Sequence, residues 1–279
     1  MPAYSFIKNM IKRILRRIAT TLEGFFSKSW LNPFATLWVN FRSLDFKDAI
    51  QLPIYVYGNP KIHSLSGSIK FLIPVHRKMV IFNYVQMFAP SGQSLNSEIL
   101  NTGTIVFGGG CIIIGRGTKI CVNSKAELRI GKNTKIADNI NIGCYHFISM
   151  GDNTRIAHRC QIFDTNYHFI VNVATRTVRN CTGNVSIGSN CWVCNDTTVN
   201  MGAVIPDKTI VTSRSLCNKD YSNAPAFSII GGVPAKLIKT GSTRVFNVKT
   251  EAELIAFFST APENSYTLDS ETDIETLIL

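Results

Sequence analysis

The sequence has 279 residues, a length that suits one large domain with additions and is enough to bury a sizeable core. Hydrophobic residues make up 45% and charged residues 17%, which excludes an intrinsically disordered chain. The formal charge of +11 favours anionic partners such as a membrane surface or a phosphorylated cofactor. No recognised nucleic-acid module is present, so nucleic acid is not an expected partner. No apolar run is long enough to cross a bilayer, and residues 1–30 lack the apolar core and cleavage site of a secretory leader, so the expected location is cytoplasmic.

Residues 1–30 form a separate segment. Ile7, Ile11, Ile14, Ile18, Leu22 and Phe25 fall on one helical face, and Lys8, Lys12, Arg13, Arg16 and Arg17 cover much of the rest. Six basic residues against one Glu give this stretch a formal +5, and a basic amphipathic helix can lie on the inner face of an anionic membrane. Residues 31–104 are expected to be an irregular β lead-in with the first coils. Their 50–107 portion is rich in β-branched and aromatic residues, punctuated by Pro53, Gly58, Pro60 and Gly67. Gly108-Gly109-Gly110 lacks the Gly-Lys-Ser/Thr ending of a phosphate loop and reads as a turn.

From 105 to 240 a six-residue beat runs through the chain. Aliphatic residues recur at Ile114 and Ile120, then at Ile130, Ile136 and Ile142, then at Met150, Ile156 and Ile162. After a break the beat resumes at Ile187, Val193, Val199, Ile205 and Val211. Gly follows the aliphatic at 115, 131, 143, 151 and 188, and four positions after the aliphatic a small or polar residue is common: Thr118, Ser124, Thr134, Thr154, Cys160, Cys191, Thr197, Ala203, Thr209 and Ser215. A period of six fits neither an amphipathic helix nor a flat alternating strand. It fits short strands joined by turns, with the aliphatic inward and the small residue in a corner. The eight cysteines are too sparse for a disulfide scaffold and read as small core residues.

This pattern resembles the hexapeptide-repeat acyltransferases, with sugar and polysaccharide O-acetyltransferases and galactoside or maltose acetyltransferases among them. The resemblance implies an all-β, left-handed parallel β-helix flanked by the N-terminal amphipathic helix and a short C-terminal helix. It also implies a homotrimer with active sites between subunits, and acetyl-CoA as co-substrate with no metal. Handedness enters only through the resemblance, since the general right-handed crossover preference would not give it.

The beat stops after Ile162 and resumes at Ile187, leaving a polar loop over 169–184 extruded from the scaffold. Asp164-x-Asn166-x-His168 at its start matches the family's Asp-x-Asp/Asn-x-His. The resemblance makes His168 the general base that takes the acceptor's proton, and Asp164 or Asn166 the residue that orients it. A backbone N–H of a neighbouring coil would stabilise the oxyanion. Asn141, Tyr145 and His146 lie about one coil earlier and are acceptor-binding candidates. His158 sits mid-hexad and is expected to be exposed, and Arg176 and Arg179 could meet an anionic ligand or form a solvated loop face.

Downstream, Thr212–Asp220 resembles the family's Gly-Ala-Gly-Ser-x-Val-Thr-Lys-Asp segment, and Gly232-Val233-Pro234-Ala235-Lys236-Leu237-Ile238-Lys239 matches its closing segment. The carry-over places Asn195 and Ser213 beside the pantetheine arm of CoA, and Asn218, Lys219, Lys236 and Lys239 near its nucleotide end. Thr212, Arg214 and Cys194 stand where the family commonly has glycine. Residues 241–279 are expected to hold a helix over 250–258 and a mobile acidic tail over 263–276.

The expected function is acetyl-CoA-dependent O- or N-acetylation of a sugar, such as a surface-polysaccharide precursor. A non-catalytic β-helix scaffold and a zinc-dependent, carbonic-anhydrase-like lyase are the alternatives. The lyase would need three histidines about a metal with two closely spaced, and His146, His158 and His168 lack such a pair.

Overall fold

The structure, a computed structural model, describes residues 10, 12–16, 30–84, 96–260 and 263–278. The core is a left-handed parallel β-helix in which the chain visits three sheets in turn. The first sheet has nine strands, from Ile54–Val56 to Ala235–Lys239. The second has seven, from Lys61–Leu65 to Leu216–Cys217, and the third has six, from Ser68–Phe71 to Val204–Ile205. Within these three sheets the strand pairings are parallel except that of Ile229–Gly232 with Ala235–Lys239, which closes the first sheet with an antiparallel turn.

The six-residue beat becomes three vertical columns. In the first sheet Ile114, Ile136, Ile156, Val193 and Val211 stand in register. In the second, Ile120, Ile142, Ile162, Val199 and Cys217 do the same. In the third, Ile130, Met150, Ile187 and Ile205 align. Almost every member of these columns is at most 3% exposed, so the three stripes fuse into one continuous core.

The small residues fill the corners with a purpose beyond size. The Thr118, Thr134 and Thr154 hydroxyls donate to the carbonyls of Ala137, Gly151 and Gly188 on the next coil. Thr197 does the same toward Thr212. A buried corner carbonyl that would lack a partner is thereby satisfied. Ser124 is the exception and lies exposed. The glycine after the aliphatic is required by close approach: a Cβ on Gly131 would lie 2.4 Å from the Gly151 carbonyl carbon, and one on Gly151 the same distance from the Ser189 nitrogen. Left-handed turn positions are taken by Asn133, Asn139, Asn153, Asn190 and Asp196, types that tolerate positive φ, and also by Lys125, Arg159, Lys208 and Arg214.

The lead-in departs from expectation. Residues from Ile54 onward are already in register with the later coils. Before them come two helices that sequence periodicity did not reveal, α1 (Pro33–Ser43) and α2 (Phe46–Ala49). Helix α1 starts with Asn32 accepting from the Ala35 amide and Pro33 at the first helical position. Its amphipathicity is inverted. Thr36 and Asn40 point inward and hydrogen-bond the backbone of Ile54 and Val56, closing the open edge of the first strand. Phe34, Leu37, Trp38 and Phe41 point outward, Phe34 being 82% exposed.

Of the expected N-terminal helix, residues 10 and 12–16 are helical and exposed, and the rest of 1–30 lies outside the described residues. The C-terminal helix is present as α3 (Val248–Thr260). The acidic stretch 263–276 is largely exposed, and the residues that follow it pack on the fold. Leu277 and Ile278 are buried, Phe246 N donates to Leu277 O at 2.7 Å, and Lys208 bonds Glu275 at 2.5 Å.

Because the columns are continuous, one deletion opens a void between three coils. Ile142→Ala is expected to destabilise the chain by about 2–5 kcal/mol, read from urea unfolding at unchanged slope.

Candidate functional site

The stack is broken where the sequence beat stops. The chain leaves the second sheet at Gln161–Phe163, runs outward, and rejoins the third at Asn184–Ile187. The neck is held by Gly183 N donating to Asp164 O and Asn166 N to Cys181 O, both at 2.8 Å. The loop beyond is a β-hairpin, Val171–Asn172 pairing antiparallel with Thr177–Val178. Its outer surface carries Phe169, Ile170, Val171, Val173 and Val178, all exposed, so the extruded element is more apolar than the polar loop expected.

His168 sits at the hairpin's entry, exposed, with its amide donating to Asn166 O at 2.7 Å. Its ring has no hydrogen-bond partner among the described residues. It lines a cleft of about 610 Å³ with Asn166, Thr177, Arg179, Asn180 and Met201. Asp164 makes no hydrogen bond to that ring in this structure. That carboxylate is fully buried and accepts from the Tyr145 and His146 amides, at 2.7 and 2.8 Å. A carboxylate taken out of water needs such donors, and both of its oxygens are committed to the coil below. Asp164 therefore ties the hairpin neck to the turn that carries the acceptor candidates. The Asn166 side chain makes no hydrogen bond to the ring either, so the imidazole is held only through its backbone.

The acceptor candidates divide. Tyr145 stacks edge-on against Tyr167, ring centroids 5.1 Å apart, and Tyr167 in turn meets Phe163. Burial, with Cys121 alongside, pushes the Tyr145 phenol up to about 12, and burial also raises Tyr167. Both phenols therefore stay protonated near neutrality. Asn141 donates to Gln161 at 3.0 Å and lines a second cleft on the outer face of the second sheet with Lys119, Phe163 and Tyr167. That cleft is an aromatic wall with polar groups beside it, and the sequence reading did not single out Phe163 or Tyr167 for it. His146 turns the other way, its Nδ1 2.8 Å from Asn184 Oδ1 at the start of the third sheet.

The CoA candidates occupy the last coils, on separate corners and strands. Asn195 and Ser213 lie one coil apart on the corner between the first and second sheets, where Arg214 N donates to Asn195 O. Asn218 and Lys219 are exposed just past the last strand of the second sheet, Lys219 lying over the Tyr221 ring. Lys236 and Lys239 are exposed on the closing strand of the first sheet. His158, expected to be exposed, is half-buried and its Nδ1 is sealed from solvent with no partner. Among the described residues no three His, Cys, Asp or Glu side chains converge as a metal-ligand set.

No family model matches the chain. A curated protein, the putative lipopolysaccharide biosynthesis O-acetyl transferase WbbJ of Escherichia coli K12, is 26% identical over 149 residues, half of this chain and 74% of that protein. Among solved structures, the polysialic acid O-acetyltransferase OatWY is 21% identical with a TM-score of 0.41, covering 72% of this chain and 96% of its own. AntD, an N-acyltransferase from Bacillus cereus in complex with dTDP and 3-hydroxybutyryl-CoA, is 14% identical with a TM-score of 0.43, covering 84% of this chain and all of its own.

Replacing Asp164 by Ala leaves the two amide donors of Tyr145 and His146 without acceptors, at a cost of about 1–3 kcal/mol each where they are shielded. Faster hydrogen exchange at 145–146 and quicker proteolysis in 166–180 are expected. Unchanged exchange would show that the carboxylate does not anchor the neck.

Proposed function

We propose that this hexapeptide-repeat β-helix chain, which is similar to the hexapeptide-repeat acyltransferases, transfers an acetyl group from acetyl-CoA to a hydroxyl or amine of a sugar, with His168 as general base. The observation that carries the reading is the unpartnered imidazole at the mouth of a cleft, at the break in an otherwise continuous stack. The relation to a putative O-acetyl transferase of lipopolysaccharide biosynthesis points to a surface-polysaccharide precursor as acceptor and to O-acetylation first.

In this mechanism the acceptor hydroxyl attacks the thioester carbonyl as the His168 ring takes its proton. A backbone N–H of an adjoining coil stabilises the oxyanion, and the intermediate collapses with departure of the CoA thiolate. A thiolate leaves readily, so no covalent enzyme intermediate is needed. Lys219, Lys236 and Lys239 would meet the phosphates of CoA as point charges, and Asn195 and Ser213 its pantetheine arm. Asp164 acts here as a positioning residue through the neck, and Tyr145 with Asn141 faces the sugar. Assembly as a trimer supplies what one chain lacks. The exposed apolar side chains of the hairpin suit such an interface, and a neighbouring subunit would bring the CoA candidates on separate corners beside one another.

A membrane-linked acceptor suits the N-terminal end. The basic stretch 1–30 precedes α1, whose aromatic face points outward, a combination fit for lying on anionic lipid.

His168→Ala is expected to lower the rate of thiol release from acetyl-CoA by about 10²–10⁴-fold with a screened sugar acceptor, with CoA binding retained. Turnover unchanged in that variant refutes the role of the ring, and a monomeric mass by light scattering refutes the shared groove. Vesicles rich in anionic lipid should sediment the full chain but not a variant lacking residues 1–30; equal sedimentation would remove that segment from the membrane contact.

A further inference from the structure

On the outer side of the first sheet, in a cleft apart from the one that His168 lines, three cations stand together. Lys135, Arg155 and Trp192 stand in register on three successive strands, so their side chains stack as a ladder. The chain beyond the last strand returns across this ladder. It lays the Arg244 guanidinium over the Trp192 ring at 5.1 Å and over Phe246 at 5.2 Å, and Arg155 lies over Phe246 at 5.3 Å. Lys135, Arg155, His158, Trp192, Arg244 and Glu251 line the resulting cleft, about 540 Å³ in volume.

The charges in it do not balance. Glu251 is the one carboxylate of the lining and lies 3.6 Å from Arg244. Lys135 has no ion pair among the described residues. Arg155 uses Nη1 alone, donating to the carbonyls of Asn133, Asn153 and Thr154, which fixes the guanidinium without neutralising it. Like charges on neighbouring strands repel. Burial, with Arg244 next, pulls Arg155 down to about 10, and burial with Arg155 lowers Lys135. In the same lining the His158 ring carries its orphaned Nδ1. A chain that stacks two arginines on aromatic rings, pins one through carbonyls and aligns a lysine beside them holds three fixed cations against the single carboxylate of Glu251.

We infer that this cleft, built from the first sheet and the C-terminal segment by Lys135, Arg155, Trp192 and Arg244, binds the phosphate or carboxylate group of an anionic ligand. The ligand displaces Glu251 from Arg244, takes a bidentate contact from the guanidinium and a point charge from Lys135, and rests against the aromatic wall. The group can belong to CoA or to an acidic or phosphorylated sugar. The chemistry of the site is the same for both, and the binding test below needs no turnover, so its outcome is independent of whether the chain transfers acetyl groups.

The test is calorimetric titration of the full chain with inorganic pyrophosphate at low salt, for the wild type and for Lys135→Gln, Arg244→Gln and Glu251→Gln. Arg155 is left intact because its carbonyl bonds tie three coil positions together. Loss of either cation is expected to weaken binding about tenfold, and Glu251→Gln to strengthen it severalfold, with affinity falling as salt is added. Thermal melts unchanged across the set separate loss of the site from loss of the fold. Displacement of pyrophosphate by CoA but not by a uronic acid assigns the site to the donor, and the reverse assigns it to the acceptor. No binding to the wild type, or equal affinity in all four proteins, overturns the inference.

Discussion

The constraint beneath this protein is the stacking distance of its coils. Parallel strands lie roughly 4.8 Å apart, so each residue has a counterpart directly above and below it. Inward, that repetition sets Ile114, Ile136 and Ile156 in one apolar column. At the corners it brings each threonine hydroxyl within reach of the next coil's carbonyl. At Gly131 and Gly151 it leaves no room for a Cβ. One geometric rule thus dictates three residue types at fixed places in the hexad.

The same rule governs what can be added. A coil can be opened only where the coil below still satisfies the strands around the opening. Asp164 shows how this is done here: the chain departs from the stack immediately after a carboxylate that clamps two amides of the preceding coil. The hairpin is therefore anchored at a rigid point while its tip projects, and His168 stands between the two regimes, fixed at its backbone and free at its ring. The outward ladders follow the same logic. A lysine placed at 135 and an arginine at 155 are neighbours because the register makes them so, and their repulsion is a direct product of the fold.

Both ends of the solenoid need covering, and the chain solves each differently. At the start, α1 turns Thr36 and Asn40 toward the first strand and gives up its apolar face to the outside. At the finish, an antiparallel strand closes the first sheet and the remaining chain folds back along its side, bringing Arg244 and Phe246 onto Trp192 and Arg155. The second arrangement makes a cleft from parts that are distant in sequence.

The sequence by itself determined the repeat, the inward columns, the corner residues, the position of the break and the placement of His168 beside it. All of these follow from local spacing, because a solenoid's contacts recur at a nearly fixed sequence offset and one period describes them all. Tertiary structure decided the rest. A carboxylate that accepts from the coil before it cannot be told from a histidine partner by the motif Asp164-x-Asn166-x-His168, since only coordinates show which amides it reaches. The periodicity of the sequence does not reveal helix α1, and only the open strand edge it covers explains why Thr36 and Asn40 are buried. The docking of Leu277 and Ile278 and the gathering of Lys135, Arg155 and Arg244 join residues separated by most of the C-terminal half. No period in the sequence encodes contacts of that kind, because they depend on where the chain returns in space.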